Sequence, residues 1–318
     1  MDVKYKDPRD RFIELIDIEK SRVRLEPHVV FICGGPVDVK TTSNHSIRNM
    51  FMNLSGAVGG ITDGFVLAEN FKDWEQGYSN LSDFENDIAF LSSMVVIFLE
   101  SEGALTEFGL FFGNSMIRDK LVVVIHKEFH KSESFIDYGL LRPMETKSQS
   151  SVKVFTIDHR DIENVSKDEV KEILDDIIED CENKDKTSLF DALNRGHQIF
   201  LILQIVILFR ALTKLEIRKY IEYLPIPISS KEIDSALYIL QKFNFISSEK
   251  RSSQYFYVAE KNLVSRVTLS FKRDGGRRYD ATSIKIAVDE FYLAARESDR
   301  THNRRVKILS SLRAEEQP

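Results

Sequence analysis

The segment Ser93–Gly109, S-M-V-V-I-F-L-E-S-E-G-A-L-T-E-F-G, decides the fold class of this chain. An apolar run, Met94–Leu99, stops at Glu100-Ser101-Glu102-Gly103, and helix-like sequence follows with Thr106 and Glu107 in its first turn. A strand-length apolar run, a polar turn with one glycine and a helix make one βα unit. Ligands of open α/β sheets sit outside the carboxyl ends of the strands. The spacing therefore places Glu107 at such a crevice. Outward from this unit lie four more strand-length runs, Val29–Cys33, Gly64–Ala68, Leu121–His126 and Val152–Ile157. Helix-compatible stretches separate them, around Ser46–Leu54, Asp83–Ser92, Leu105–Met116 and Ser134–Leu141. Alternating strands and helices predict an α/β fold with a doubly wound parallel five-stranded sheet. The near-continuous Val/Ile/Leu runs suit strands covered on both faces. Residues 10–25, with Phe12, Ile13, Leu15, Ile16 and Ile18 at helical spacing, predict an amphipathic helix ahead of the first strand.

Ser166–Cys181 reads as a helix opened by a capping box, Ser166 preceding Glu169 by three, and closes a first domain over residues 1–182. The polar stretch Asn183–Thr187 is the linker. Helices are then expected at His197–Leu212, at Thr213–Leu224 and at Ser230–Phe243, the last capped by Ser229 or Ser230. The second has an inner stripe of Leu215, Ile217, Tyr220, Ile221 and Leu224, and Pro225 and Pro227 break it. Phe245-Ile246, a polar S-S-E-K-R-S-S turn and Gln254–Val258 predict a hairpin. Three helices followed by a hairpin is the order of a winged helix-turn-helix, expected over 188–272. A loop past Arg273 and one or two helices in Ser283–Leu312 form a basic helical tail, 273–318.

The 318 residues suffice for two domains with cores of their own. A net charge of -6 excludes wholesale coating by nucleic acid, yet Ser247–Pro318 carries 15 Lys+Arg against 10 Asp+Glu. That balance of +5 leaves -11 on the remainder, so the tail suits a polyanionic or acidic partner, or else is a solvated basic face. Two distant cysteines, Cys33 and Cys181, fit a reducing cytosol and no disulfide scaffold. The charged start M-D-V-K-Y-K-D-P-R-D shows no signal peptide. The longest apolar run, Ile199–Phe209, is shorter than the roughly 20 residues a bilayer span needs. A cytoplasmic protein without a membrane anchor is expected. His126 and His130 have no partner at ligand spacing, so no metal site is expected.

Four groups converge at the predicted strand ends. Cys33-Gly34-Gly35-Pro36 follows the first strand; paired glycines admit a ligand to the backbone, although an ordinary turn needs them equally. Glu69 and Asn70 follow the second. Asp83-Phe84-Glu85-Asn86 opens the helix before the third, where acids also serve the helix dipole. Glu100, Ser101, Gly103 and Glu107 follow the third. Glu107 is either a first-turn acid complementing the macrodipole or a carboxylate kept ionised by backbone N–H groups beside an electron-deficient carbon. Such a carboxylate attacks or stabilises the anomeric centre of a breaking N-glycosidic bond. On the residues alone both readings stand.

The set C-G-G, D-F-E-N and F-L-E-S-E-G-A-L-T-E-F-G resembles the nucleoside 2-deoxyribosyltransferase superfamily. More narrowly it is similar to the deoxyribosyltransferase-like effectors of bacterial retrons, which share Ser134-Phe135-Ile136-Asp137-Tyr138-Gly139 and the winged-helix arrangement. The resemblance implies Glu107 as the nucleophile. It implies Cys33, Gly34, Gly35, Glu69, Glu85, Glu100, Ser101, Gly103 and Tyr138 around a nucleotide, with NAD the leading substrate and no cofactor. It further implies a toxin held in check by the retron reverse transcriptase and its multicopy single-stranded DNA until phage infection, in a homo-oligomer or higher assembly. The acidic E-S-E-G turn departs from the transferase pattern and argues against transfer to free deoxynucleosides. His126–Glu133 is a candidate lid. Within the motif that follows, Phe135 is expected to pack inward and Tyr138 to stack on a ring.

The presumed recognition helix, Lys231-Glu232-Ile233-Asp234-Ser235, is nearly neutral, whereas base readers place Arg, Asn or Gln there. Lys250, Arg251, Lys272, Arg273, Arg277 and Arg278 are the better contacts for a polyanion or the reverse transcriptase. The competing reading is a nucleotide-sensing module without turnover, coupled to a DNA-binding regulator.

Overall fold

A computed structural model describes residues 6–37, 45–156, 160–261 and 263–314. Ile157, the expected end of the fifth apolar run, lies outside them, as do the extreme termini. In chain order the elements begin with α1 (Arg9–Glu14) and β1 (Ile16–Arg24). There follow β2 (Val30–Cys33), α2 (Ile47–Ser55), β3 (Phe65–Val66), α3 (Leu81–Leu91), β4 (Met94–Phe98) and α4 (Glu102–Phe112). Next come α5 (Ser115–Arg118), β5 (Leu121–His126), α6 (Arg142–Lys147), β6 (Val152–Phe155) and α7 (Lys167–Glu182). The chain continues through β7 (Thr187–Leu189), α8 (Arg195–Phe209), α9 (Lys214–Tyr223), α10 (Ser230–Lys242), β8 (Ile246–Arg251) and β9 (Gln254–Ala259). It ends with β10 (Val267–Phe271), α11 (Ala281–Ala295) and α12 (Arg300–Ala314). Two units result: Glu26–Trp74 with Ser79–Asp185, and Met1–Leu25 with Glu75–Tyr78 and Lys186–Pro318.

The first is an α/β unit whose sheet runs in the order β3-β2-β4-β5-β6, every neighbouring pair parallel. Its three central strands are buried along their length apart from His126, as strands covered on both faces must be. Val30, Ile32, Val96 and Phe98 pack on one side against Met50 and Phe51 of α2 and Ile173, Leu174 and Ile177 of α7. On the other side the Phe31 ring meets Phe111 of α4, centroids 6.0 Å apart. The helices start where side chains can take an orphan N–H: Ser46 accepts from Asn49 N, Asn80 from Asp83 N and Ser101 from Ala104 N. Ser166 caps α7 by accepting from Asp168 N, but the expected box does not close, because the Glu169 carboxylate accepts from Thr156 Oγ1 instead. Strand order reverses between β2 and β4, which makes the crevice beyond Cys33 and Phe98 the switch point of the sheet.

The second unit corrects several expectations. Residues 1–25, read as the front of the first domain, belong here, and the helix expected over 10–25 ends at Glu14. Ile16, Ile18, Ser21 and Val23 are buried in an otherwise exposed run, a strand's signature, and β1 pairs antiparallel with both β10 and β7. The tail expected as a separate 273–318 segment folds within this unit as α11 and α12. Three helices, α8 to α10, precede the antiparallel hairpin β8–β9. Capping boxes Thr213/Glu216 and Ser229/Glu232 open α9 and α10. Leu215, assigned to the inner stripe of α9, is 75% exposed. Most of the expected polar turn is strand, leaving Ser252-Ser253 as the two-residue connection, with Ser252 at φ 58°. Among the described residues no helix is long and apolar enough to cross a membrane.

Candidate active site

Two loops meet at the switch point, and one carboxylate ties them together. Glu100, just past β4, accepts from Gly35 N at 3.0 Å, from Ile47 N at 2.7 Å and from Arg48 N at 3.0 Å. It neutralises the amino end of α2, a favourable place for an anion. The carboxylate is thereby committed to the backbone. Glycine is needed beside it: a Cβ on Gly35 would stand 2.8 Å from Ser46 Cβ and 3.0 Å from Glu100 Oε1. Gly34 has φ +150°, and its Cβ would come within 2.9 Å of Phe98 Cβ. Gly34→Ala is expected to cost about 2 kcal/mol or more in urea unfolding, through strain and overpacking together.

Arg48, which sequence reasoning missed, is buried at 3% exposure. Its Nε donates to Gly35 O at 2.6 Å, its Nη1 to Ile32 O at 3.1 Å, and its Nη2 to the Glu69 carboxylate. One guanidinium thus holds the end of β2, the glycine turn and the short turn after β3. An arginine so early in a helix is normally a surface residue opposing the dipole; here Glu100 compensates it.

Around Arg48 gather Cys33, Glu69, Glu85 and Glu107, and the charges there act on the titration of Cys33, Glu85 and Glu107. Glu85 projects from α3 and is 8% exposed; Glu107 sits one turn into α4 with Oε2 buried and lacking a hydrogen-bond partner among the described residues. Burial, then the Glu85 charge, pushes Glu107 up to about 7, and Arg48 opposes the shift. Burial, then Glu69, likewise raises Glu85 to about 7. The expectation that backbone N–H groups keep Glu107 ionised is therefore overturned: removal from water, uncompensated by donors, dominates. Cys33 is buried, and burial followed by the Glu107 and Glu85 charges raises its thiol well above the ordinary value, which suits an inert thiol. Arg48→Met removes the one cation opposing these shifts. The acid limb of a pH–activity profile is expected to move upward by about one pH unit.

The remaining sequence candidates have these places in the fold. Ser101 is the amino cap of α4, and Gly103 is in that helix's first turn. Tyr138 lies on a π-helical turn, Asp137–Leu141, half-exposed with the Arg142 guanidinium 4.0 Å from its ring centroid. Phe135, expected to pack inward, is 80% exposed.

Residues 44–248, more than half of the chain, match the STM3845 retron effector protein family. The chain belongs to this family. Curated relatives agree. The "Retron Ec86 putative ribosyltransferase/DNA-binding protein" of Escherichia coli is 32% identical over 124 residues, 37% of this chain and 39% of that one. Its Retron Ec73 counterpart, also from Escherichia coli, is 31% identical over 142 residues, 42% and 44% of the respective lengths. The chain thus spans about two fifths of the length of these relatives. The family match covers β3, β4, α2 to α4 and the helices through α10, so Arg48, Glu69, Glu85 and Glu107 all lie inside it.

In the second unit the basic candidates lie at the surface. Lys250 sits 5.5 Å from the Tyr255 ring centroid, and Arg251 lies 3.8 Å from Glu249. Lys272, Arg273, Arg277 and Arg278 are exposed, Arg277 lying 4.9 Å from the Tyr279 ring centroid across the Gly275-Gly276 turn. On α10 the Asp234 carboxylate is taken up by Lys214 and Arg218 of α9 at 2.8 and 2.7 Å.

Proposed function

We propose that the α/β unit is a deoxyribosyltransferase-like N-glycosidase that cleaves a nucleotide, with NAD the leading substrate, and that the chain acts as a retron toxin in anti-phage defence. The observation that carries this reading is Glu107: a carboxylate at the switch point, with a buried free oxygen and a titration point near neutrality, facing Glu85. The names of the Ec86 and Ec73 relatives, each a "putative ribosyltransferase/DNA-binding protein", support it.

In this mechanism the ionised Glu107 approaches the anomeric carbon as the C–N bond breaks and its electrons leave on the base nitrogen. Glu85 retains a proton near neutrality and donates a hydrogen bond to the sugar. Water then attacks the anomeric carbon; its oxygen stays on the sugar as a hydroxyl and its other proton passes to the Glu107 carboxylate, which withdraws from the carbon. Gly34 and Gly35 shape the crevice floor, and Arg48 fixes it.

The helices α8 to α10 with the hairpin β8–β9 are read as a winged helix. Its acidic α10 charge is internally paired, so Lys250, Arg251 and the Lys272–Arg278 cations are assigned to a polyanionic backbone or to the reverse transcriptase. Multicopy single-stranded DNA and reverse transcriptase hold the toxin inactive until infection.

The test is base release. Purified protein incubated with NAD, ATP and deoxynucleosides is expected to liberate nicotinamide, followed by chromatography. Tight binding without release of any base would assign the unit to nucleotide sensing instead.

A further inference from the structure

A cavity of about 660 Å³ opens at the carboxyl ends of β4 and β5 in the α/β unit. Its walls are Leu99, Leu105, Ile125, Phe129 and Ile136. This volume falls within the range that encloses a small organic ligand, and apolar walls with few polar groups are the usual construction. The cavity is not the Glu107 cluster. At 3.6 residues per turn, Glu107 lies about 160° around α4 from Leu105, on nearly the opposite flank.

The polar groups define the ligand. Among the described residues no lysine or arginine lines the cavity, while Glu100 and Glu102 do, so phosphate is disfavoured. Glu100 is spent on backbone N–H groups, but Glu102 is exposed and its carboxylate has no hydrogen-bond partner among the described residues. Ser134 Oγ accepts from Asp137 N at 3.2 Å and from Ser132 Oγ at 3.0 Å, which leaves its own O–H to give. Ser101 Oγ accepts from Ala104 N and likewise keeps its proton free. The cavity therefore offers two hydroxyl donors and a carboxylate acceptor at the rim of an apolar slot. A flat ring with acceptors and N–H donors along its edge matches that set.

We propose that this cavity binds a neutral nucleobase ring, at a site separate from the Glu107 carboxylate. Because the site stands on its own lining, it survives a failure of the glycosidase reading. Calorimetric titration of adenosine into the full chain tests it. Wild type and Glu107→Gln are expected to bind alike. Leu105→Arg, which drives a cation into the slot from an exposed helix position, is expected to weaken binding at least tenfold, and Ser134→Ala several-fold. ADP is expected to bind more weakly than adenosine, since among the described lining residues its phosphates meet carboxylates and no cation. If Leu105→Arg fails to fold by thermal melting, Ser134→Ala, which removes one oxygen, decides. Wild-type affinity in both variants overturns the proposal. So does an absence of adenosine binding to wild type, or binding abolished by Glu85→Ala but intact in Leu105→Arg. An effect of Leu105→Arg on the KM of a cleaved substrate would make the cavity part of the substrate's own pocket and so overturn the separate site. An unchanged KM with lost adenosine binding supports the separate site.

Discussion

Glu107→Gln is expected to lower base release by about three orders of magnitude, roughly 4 kcal/mol of transition-state stabilisation, while leaving the α/β unit folded. Gln preserves the shape of the side chain but supplies neither a nucleophile nor a negative charge beside the anomeric carbon. The same substitution carries a second, independent signature. The folded chain holds Glu107 at about 7, against 4.5 for an unperturbed glutamate. Between those values the unfolded chain releases a proton that the folded chain keeps. Folding stability therefore falls as pH rises across that window and stays lowered above it. Gln has no such proton. The variant should match wild type at pH 4 and melt a few degrees higher at pH 8. The slope that remains belongs in part to Glu85, whose value is raised in the same direction. Residual cleavage within tenfold of wild type would remove Glu107 from the chemistry. A lost activity without the pH-dependent gain in melting temperature would point to misfolding rather than to a missing nucleophile.

The α/β unit was legible because its central strands are apolar runs of four or five residues covered on both faces, whereas the caps Asn80 and Ser101 start two of the helices two to three residues earlier than the periodicity suggests. The βα turn exposed Glu107 by position alone. Its electrostatics were not legible, since they depend on Glu85 arriving from α3 and on the absence, among the described residues, of any donor for Oε2. Arg48 was missed for a related reason. Its sequence neighbours describe an ordinary helix start, and only the fold brings Gly35 O and Ile32 O to its guanidinium. β1 failed differently. Phe12 and Ile13 are spaced as in a helix, and the alternation that follows is interrupted by Glu19-Lys20, so the helical period runs on falsely. What settles the strand is pairing with β10, which no local pattern encodes. Leu215 and Phe135 show the converse limit: an apolar residue at the right spacing can still face water.

The largest stability effect is expected from Glu216, a residue of the second unit with no role in the proposed chemistry. Arg9 and Arg305, 4% and 2% exposed at their side chains, both converge on its carboxylate, Arg9 at 2.8 Å. The capping box of α9 uses the same carboxylate through Thr213. Arg9 Nη1 also donates to the Tyr292 hydroxyl at 3.0 Å, and that hydroxyl donates to Phe209 O at 2.8 Å; Arg305 Nε donates to Ala211 O at 2.9 Å. One acid thereby joins α1, α9, α11 and α12. Glu216→Ala leaves the buried Arg305 guanidinium without its carboxylate and Arg9 with, among the described residues, only Asp7, at 2.6 Å, as anion, a change that costs about 3–5 kcal/mol. Removing the Arg9 and Arg305 charges together with Glu216 should recover much of that loss, because the penalty lies in the orphaned cations and not in the absent bond. The pH dependence has the opposite sign to that of Glu107. Burial would raise Glu216, but Arg305, Arg9 and the Thr213 bonds outweigh it and hold the carboxyl at about 2. The stability it contributes is complete above 4.5, its unfolded value, and disappears as pH falls through 2. Urea unfolding of wild type and Glu216→Gln should accordingly differ most at neutral pH, and the gap should narrow steadily on acidification. A gap of the same size at pH 7 and at pH 2 would mean that packing around Glu216, rather than its charge, holds the second unit together.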